Sequence, residues 1–369
     1  MKKFLIPLFA LCLVLSLTAC QPAALLPQAT AAPSEAPALG RYSGYILNTF
    51  DTAMTLIGFT DSQETFDKVL AQMESRFIQL HREFDKYNAY PGVNNLYTLN
   101  AQAAHGPVTV SKDMMDLLVQ VKAWQEQFPN ATNIAMGSVL ALWHDARETA
   151  ENDPLNAYIP SLEDLQAAAA HTSMANVVLD EEAMTVTFTD PLVQLDLGAV
   201  AKGYAAERVA QEILYPQMPS FILNAGGNVR AGNPPMDGRK AWGIGIQDPA
   251  ESIFSANPSK DVLFFADTSL VTSGTYQRYF EMDGVRYHHL ISPQTLFPAD
   301  FCESLTIVTE DSFMADFLST TCFMLPYEES RQLVDSLEGV EALWIFKDGT
   351  TQMTDGLKPM AQSQGAVNK

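Results

Sequence analysis

Apolar positions along the chain fall into three regimes. The first is continuous: after Met1-Lys2-Lys3, an apolar run extends from Phe4 to Ala19 with Pro7 inside it. The second is helical. Phe66 to Tyr87 spaces Leu70, Met73, Phe77 and Leu80 for one buried face, and Ser111 to Phe128 repeats Met114, Leu117, Leu118 and Val121 behind a Ser suited to cap it. Ser312 to Leu325 reads as a third helix, capped by Asp311 or Ser312. Between the first two, Asn88 to Pro107 has the Asn, Ala and Gly content of a loop. The third regime is short strands: Val177 to Leu179, Met184 to Phe188, Val193 to Leu197, Phe221 to Asn224, Trp242 to Ile246, Val262 to Asp267 and Leu305 to Val308. Few helices intervene among them, so the pattern predicts an α+β fold rather than regular βαβ alternation, and no repeat of solenoid length occurs.

The segment Tyr279 to His289 predicts the sharpest local structure. Asp283-Gly284 between two alternating runs selects a two-residue type I′ hairpin. That register sets Met282 opposite Val285, Glu281 opposite Arg286, Phe280 opposite Tyr287, Tyr279 opposite His288 and Arg278 opposite His289. The two adjacent histidines therefore point to opposite sides.

The chain has 369 residues, 47% hydrophobic and 18% charged, enough for a sizeable core. Twenty-two Lys and Arg against 43 Asp and Glu give a net charge of −21, and no basic stripe occurs, which argues against nucleic acid as a partner. The basic start and the apolar run predict a signal peptide over residues 1–19, too short to read as a spanning helix. It ends in Leu17-Thr18-Ala19-Cys20, similar to a bacterial lipobox, so Cys20 is the expected lipidation site. Residues 20–40, rich in Pro and Ala, read as a tether. The protein is then expected to be exported and held by its lipid on the outer side of the cytoplasmic membrane. Cys302 and Cys322 could pair in that setting, although a buried free thiol is the commoner fate of a Cys in an apolar helix.

Phosphate-loop, Cys-x-x-Cys and His-Glu-x-x-His motifs are absent, which argues against zinc. Gly243-Ile244-Gly245 lies within a strand and opens no helix. Asp316 and Thr320, at i and i+4, offer a carboxylate and a hydroxyl on one helix face, hard oxygen donors suited to Mg²⁺; a core helix that merely carries both residues satisfies the spacing equally. Asp196 and Gln194 share the polar face of their strand, which runs into a helix starting near Lys202. That helix start suits a phosphate-bearing ligand, or is simply a capped helix with a surface lysine. Asn224 to Gly227 reads as a turn.

In order, Leu195-Asp-Leu-Gly-Ala-Val-Ala-Lys-Gly-Tyr204, Leu223-Asn-Ala-Gly-Gly227, Thr272-Ser-Gly274, Arg286-Tyr-His-His-Leu-Ile291 and Ala315-Asp-Phe-Leu-Ser-Thr320 resemble the FAD:protein FMN transferases, the ApbE family. Weaker matches are Asn48 to Thr52, Phe84 to Tyr87, and Ile134 to Gly137 ahead of Leu142-Trp143. The resemblance implies an ApbE-like (T-fold-like) α+β fold, mixed sheets with packed helices in a single two-lobed domain over residues 41–360, with a flexible tail at 361–369. It implies Mg²⁺-dependent transfer of the FMN moiety of FAD to a Thr or Ser hydroxyl, with release of AMP. The acceptors implied are proteins with FMN-binding domains in membrane redox systems. FAD hydrolysis to FMN and AMP, or flavin or solute binding without catalysis, are the alternatives.

Residue by residue, the resemblance implies that Tyr87 stacks on the flavin and that Phe50, Ala135, Met136, Gly137, Asp196, Lys202 and Ile291 lie around FAD. It makes Ala199 (through its carbonyl), Asp316 and Thr320 the Mg²⁺ ligands, and His289 the base. Departures from the family pattern are Ser292 in place of Asp, Asn133 and Ala135 in place of Asp and Thr, and Asn228 in place of Asp.

Overall fold

The computed structural model describes residues 39–128, 132–252 and 254–368. The signal peptide, Cys20 and nearly all of the tether lie outside them. The chain opens with an antiparallel hairpin, β1 (Gly40–Thr49) and β2 (Thr52–Thr60), then α1 (Gln63–Phe84), α2 (Leu96–Gln102), β3 (Val108–Thr109), α3 (Lys112–Gln127), α4 (Gly137–Asn152) and α5 (Leu162–Ala169). Strands β4 (Val177–Asp180) and β5 (Thr185–Phe188) join β3 in a small sheet. Helix α6 (Ala201–Val209) continues through a π-helical turn into α7 (Tyr215–Gln217), followed by β6 (Phe221–Ala225) and β7 (Asn228–Ala231). Then come β8 (Trp242–Gln247), β9 (Ser259–Phe265), β10 (Thr268–Gly274), and the hairpin β11 (Tyr279–Met282) and β12 (Val285–His288). Strand β13 (Ser304–Thr309), α8 (Ser312–Phe323), α9 (Tyr327–Asp335), β14 (Glu341–Ile345) and β15 (Thr351–Met353) complete the order.

An eight-stranded sheet, β1-β2-β6-β7-β10-β13-β14-β15, organises these elements. Alternation along its strands builds two cores. Phe221, Leu223, Leu305, Ile307 and Trp344 face the layer that contains α1, α6 and α8, whereas Ile222, Val308, Leu343 and Ile345 face the β8–β9 pair through Trp242, Leu263 and Phe265. Both faces are covered at the inner strands, so β6, β7, β13 and β14 are buried on both sides, while the edge strands β1 and β15 keep exposed positions. A third cluster joins α4 and α5 to the β11–β12 hairpin through Trp143, Leu165, Phe280 and Ile291.

The β11–β12 register is the expected one, with Asp283 (φ 51°) and Gly284 (φ 77°) forming its turn. The Ser111 side chain caps α3 by accepting the Met114 N–H, and Asp311 caps α8. Other expectations are corrected. Residues 88–107 are not loop throughout: α2 forms there because the buried Asn95 accepts the Thr98 N–H and so starts a helix. The segment 193–197 is extended but joins no sheet. Asn100 satisfies both the N–H and C=O of Leu195, and the Asp196 N–H goes to the Ile134 carbonyl. On α1 the buried seam runs through Val69, with Leu70 only partly covered. Met184, at φ 53°, belongs to the turn before β5. The chain end is not a flexible tail as far as Asn368: Ala361 is fully buried, Ser363 donates to Asp261, and Asn368 bonds both backbone groups of Ala241. Cys302 and Cys322 are both free and buried.

Helix α8 carries almost no exposed residue, and its Phe317 lies 4.9 Å from the Trp124 ring and 6.1 Å from Phe128. Phe317→Ala is expected to cost about 3–5 kcal/mol of unfolding free energy in urea titration; a loss below about 1 kcal/mol would show that α8 is not held by this packing.

Candidate active site

The loop after α1, the start of α4, residues 196–202, β10, the β11–β12 hairpin and α8 enclose one cavity of about 920 Å³. Its most tightly built wall is the crossing of α6 and α8. A Cβ on Gly203 would come within 2.4 Å of both Asp316 Cβ and the Ser312 carbonyl, so only glycine permits the approach. At that contact the Gly203 N–H donates to Asp316 Oδ2 at 2.8 Å. In an uninterrupted helix this N–H would serve the Ala199 carbonyl four residues earlier, and that carbonyl accepts no bond among the described residues. One carboxylate is thus anchored by one oxygen, beside a carbonyl without its helical donor, and Thr320 follows one turn along. All three line the cavity.

Electrostatics follow from burial. Burial pushes the Asp316 carboxyl above the usual carboxylate range, against the pull of Lys202 and the Gly203 N–H. Lys202 Nζ donates to Asn228 Oδ1 at 3.0 Å, and the Asn228 side chain adds to the pull on Asp316. Among the described residues no three His, Cys, Asp or Glu side chains group as metal ligands. A carboxylate, a hydroxyl and a carbonyl are hard and carry little charge. Such a set fits a Mg²⁺ ion that keeps waters and shares the phosphates of a ligand, and it does not fit zinc or a self-sufficient metal cage.

The hairpin register presents His289 to the same cavity. Burial, together with the charges of Arg278, His288 and Lys202, pushes its pKa down to about 3, so the imidazole is neutral at physiological pH, and its buried Nδ1 has no partner. His288 turns away: its Nε2 meets the Ala299 carbonyl at 2.9 Å, and its ring packs edge-on against Phe323.

The far end is aromatic. Asp85 accepts the N–H groups of Tyr87 and Asn88 and the Tyr90 hydroxyl, which curls the chain so that Tyr87 is left 53% exposed. Lys86 sits 4.9 Å from the centre of that ring and donates to Asp196 at 2.6 Å. Burial opposes ionisation of Asp196, yet Lys86 and the Gly198 N–H hold its carboxyl below the usual range. The His144 ring lies 5.2 Å from Tyr87. Phe50 and Asp51 take left-handed backbone at the β1–β2 turn, a strain stored at the cavity edge.

Phe50, Tyr87, Met136, Asp196, Lys202 and Ile291 line this cavity, as does His289. Ala135 and Gly137 do not. Ala135 is fully buried, and Gly137 gives its N–H to the Gln194 carbonyl, where a Cβ would come within 2.5 Å of that oxygen. Both therefore position Met136 and residues 194–196 from behind. Sequence reasoning assigned no role to Lys86, His144, Arg147 or Arg278, which line the same space. Lys86 beside Tyr87 and Arg278 opposite His289 were the available signals.

The chain is similar to proteins already known. The ApbE family model matches residues 50–344. A Treponema pallidum protein named FAD:protein FMN transferase is 34% identical over 303 residues, covering 79% of this chain and 81% of its own. One of the same name from Klebsiella pneumoniae is 31% identical over 287 residues, 76% of this chain and 84% of its own. The crystal structure of the ApbE protein of Thermotoga maritima superposes with a TM-score of 0.75 at 27% identity, covering 87% of this chain and 99% of that one. The Pseudomonas stutzeri flavinyl transferase ApbE, 22% identical with a TM-score of 0.71 over 89% of this chain and 98% of its own, shares the fold. The chain belongs to the ApbE family.

Proposed function

We propose that this protein transfers the FMN moiety of FAD to a Thr or Ser hydroxyl of a partner protein and releases AMP. One observation carries the reading: a single cavity combines a stacking platform at Tyr87, an anchored carboxylate at Asp316 and a neutral imidazole at His289. These are the groups needed to hold a flavin, to hold a cation against a diphosphate and to accept a proton.

The reaction follows from that placement. The acceptor hydroxyl oxygen attacks the phosphorus on the FMN side. A new P–O bond forms, the bond to the bridging oxygen breaks, and its electron pair leaves with AMP. His289 takes the hydroxyl proton. Its depressed pKa keeps it in the accepting form, and an anionic diphosphate alongside strengthens it as a base. Asp316, Thr320 and the Ala199 carbonyl would hold Mg²⁺, which supplies charge neutralisation at the diphosphate oxygens. Tyr87 and Asp196 orient the flavin end, Tyr87 by stacking and Asp196 by its fixed carboxylate. No protein nucleophile is required, because phosphoryl transfer asks chiefly for positioning and electrostatics.

The proposed acceptors are FMN-binding domains of membrane redox systems. The proposed setting is the outer side of the cytoplasmic membrane, with Cys20 lipidated. That setting rests on the sequence of residues 1–40 alone. Covalent attachment there keeps a cofactor that would otherwise diffuse away.

Incubation with FAD, Mg²⁺ and an FMN-binding acceptor domain is expected to yield fluorescent acceptor and AMP in equal amounts; free FMN in place of labelled acceptor would mark hydrolysis, and neither product would sink both. Asp316→Asn keeps an acceptor for Gly203 and removes the charge. It should lower AMP release about 100-fold or more, as should chelation of the wild type, and full activity in either would refute the metal assignment. His289→Gln should bind FAD and lose transfer. It should also alter acid stability: the folded pKa lies below the unfolded value near 6.5, so the unfolded chain binds the proton more tightly and wild-type stability falls as pH drops below that value. Urea midpoints at pH 7 and pH 5 should therefore diverge less in the variant; equal divergence would contradict the buried neutral imidazole.

A further inference from the structure

Lys86, Arg147, Lys202 and Arg278 are the Lys and Arg side chains that line the cavity. The first three have protein partners: Lys86 pairs with Asp196, Lys202 with Asn228, and Arg147 with His144 and Glu151. Arg278 donates to no acceptor among the described residues. Its near neighbour Arg286 makes the contrast plain, for it stacks 4.4 Å over the Tyr279 ring and pairs with Glu281 at 3.4 Å.

The hairpin fixes where Arg278 works. Its carbonyl accepts the His289 N–H at 3.1 Å, which extends the register that pairs Tyr279 with His288 by one residue. Residues directly opposite in an antiparallel pair project from the same face, so the guanidinium and the imidazole enter the cavity side by side. The charge of Arg278 reaches both His289 and Asp196, depressing each.

We propose that Arg278 is a catalytic residue of the transfer, its guanidinium holding the diphosphate oxygens on which charge builds as the bond to the bridging oxygen breaks. The proposal rests on the flavin-transfer reading above. In that step the hydroxyl oxygen bonds to the FMN-side phosphorus, the proton passes to His289, and the electron pair of the broken bond departs on AMP. Negative charge rises on oxygens beside the base, where Arg278 alone among the cavity cations has no internal partner to give up. Its planar fork matches two phosphate oxygens at once, which an ammonium cannot do. The side chain is exposed, so its replacement leaves the core intact.

Arg278→Ala and Arg278→Lys test this in the full chain, with AMP release measured against FAD and acceptor concentration and FAD affinity read separately from fluorescence quenching without acceptor. Arg278→Ala is expected to lower kcat about 100-fold while FAD affinity falls less than about tenfold. Added guanidinium should restore part of the Ala variant's rate, and Arg278→Lys should stay well below wild type. An unchanged kcat, or a loss confined to KM for FAD or for the acceptor, overturns the role. A wild type that binds FAD yet releases no AMP overturns the transfer reading and this role with it, whereas an active wild type matched by Arg278→Ala overturns this role alone.

Discussion

The contact between Gly203 and Asp316 is the constraint on which the site depends. Two helices approach so closely there that no side chain fits, and a first-turn N–H of α6, which has no partner within its helix, donates to a buried carboxylate. Asp316 is thus fixed by one oxygen at the positive end of α6, and the Ala199 carbonyl, ahead of the helix cap, accepts no bond among the described residues. Everything that keeps α8 in place, from Phe317 beneath Trp124 to the Ser273–Ser319 hydroxyl pair on β10, therefore maintains the reactive end of the cavity.

Burial then sets the charge states. The same exclusion of water that raises the Asp316 pKa lowers that of His289, so an acid and a base in one cavity are each pushed toward neutrality. A divalent cation and an anionic diphosphate would relieve both at once. The cation would compensate the carboxylate, and the anion would favour the imidazolium. The polar wall is in this sense incomplete without its ligands, which is how a site avoids spending its electrostatics on internal ion pairs. Lys86 and Asp196 illustrate the other strategy: they neutralise each other and so serve as a rigid support for Tyr87 and for whatever stacks on it.

Legibility in the sequence followed the range of the interactions. The β11–β12 hairpin, the cap of α3 and the i, i+4 placement of Asp316 and Thr320 depend on neighbours a few residues away, and each was readable. The β1–β2 hairpin, β10 and the β14–β15 pair were not read; for β14, buried on both faces, alternation gives way to an apolar run, whereas β1 and β15 are edge strands with few large apolar residues to mark them. Residues 193–197 misled for the opposite reason. Their alternation is real, with Val193, Leu195 and Leu197 buried, but their backbone is satisfied by Asn100 and Ile134 from distant segments. In the site, the resemblance identified Met136 with its neighbours Ala135 and Gly137, yet only Met136 meets the cavity. Gly137 is needed for close backbone approach, a requirement that looks the same in sequence as ligand contact.

Ser292 shows how such a distinction bears on chemistry. The family pattern has Asp there, and an Asp beside a metal invites the inference that Ser removes a ligand. The structure gives the position another task. Ser292 is 3% exposed and does not line the cavity; its hydroxyl accepts the N–H groups of Gln294 and Thr295 and donates to Gln294, closing a turn in which Leu296 takes left-handed backbone. A Ser and an Asp both close such a turn by accepting backbone N–H groups two or three residues on. The substitution therefore preserves the local conformation that presents Ile291 to the cavity. Position 292 is not among the cavity-lining residues proposed to hold the cation, so the departure concerns the scaffold of the site rather than its charge.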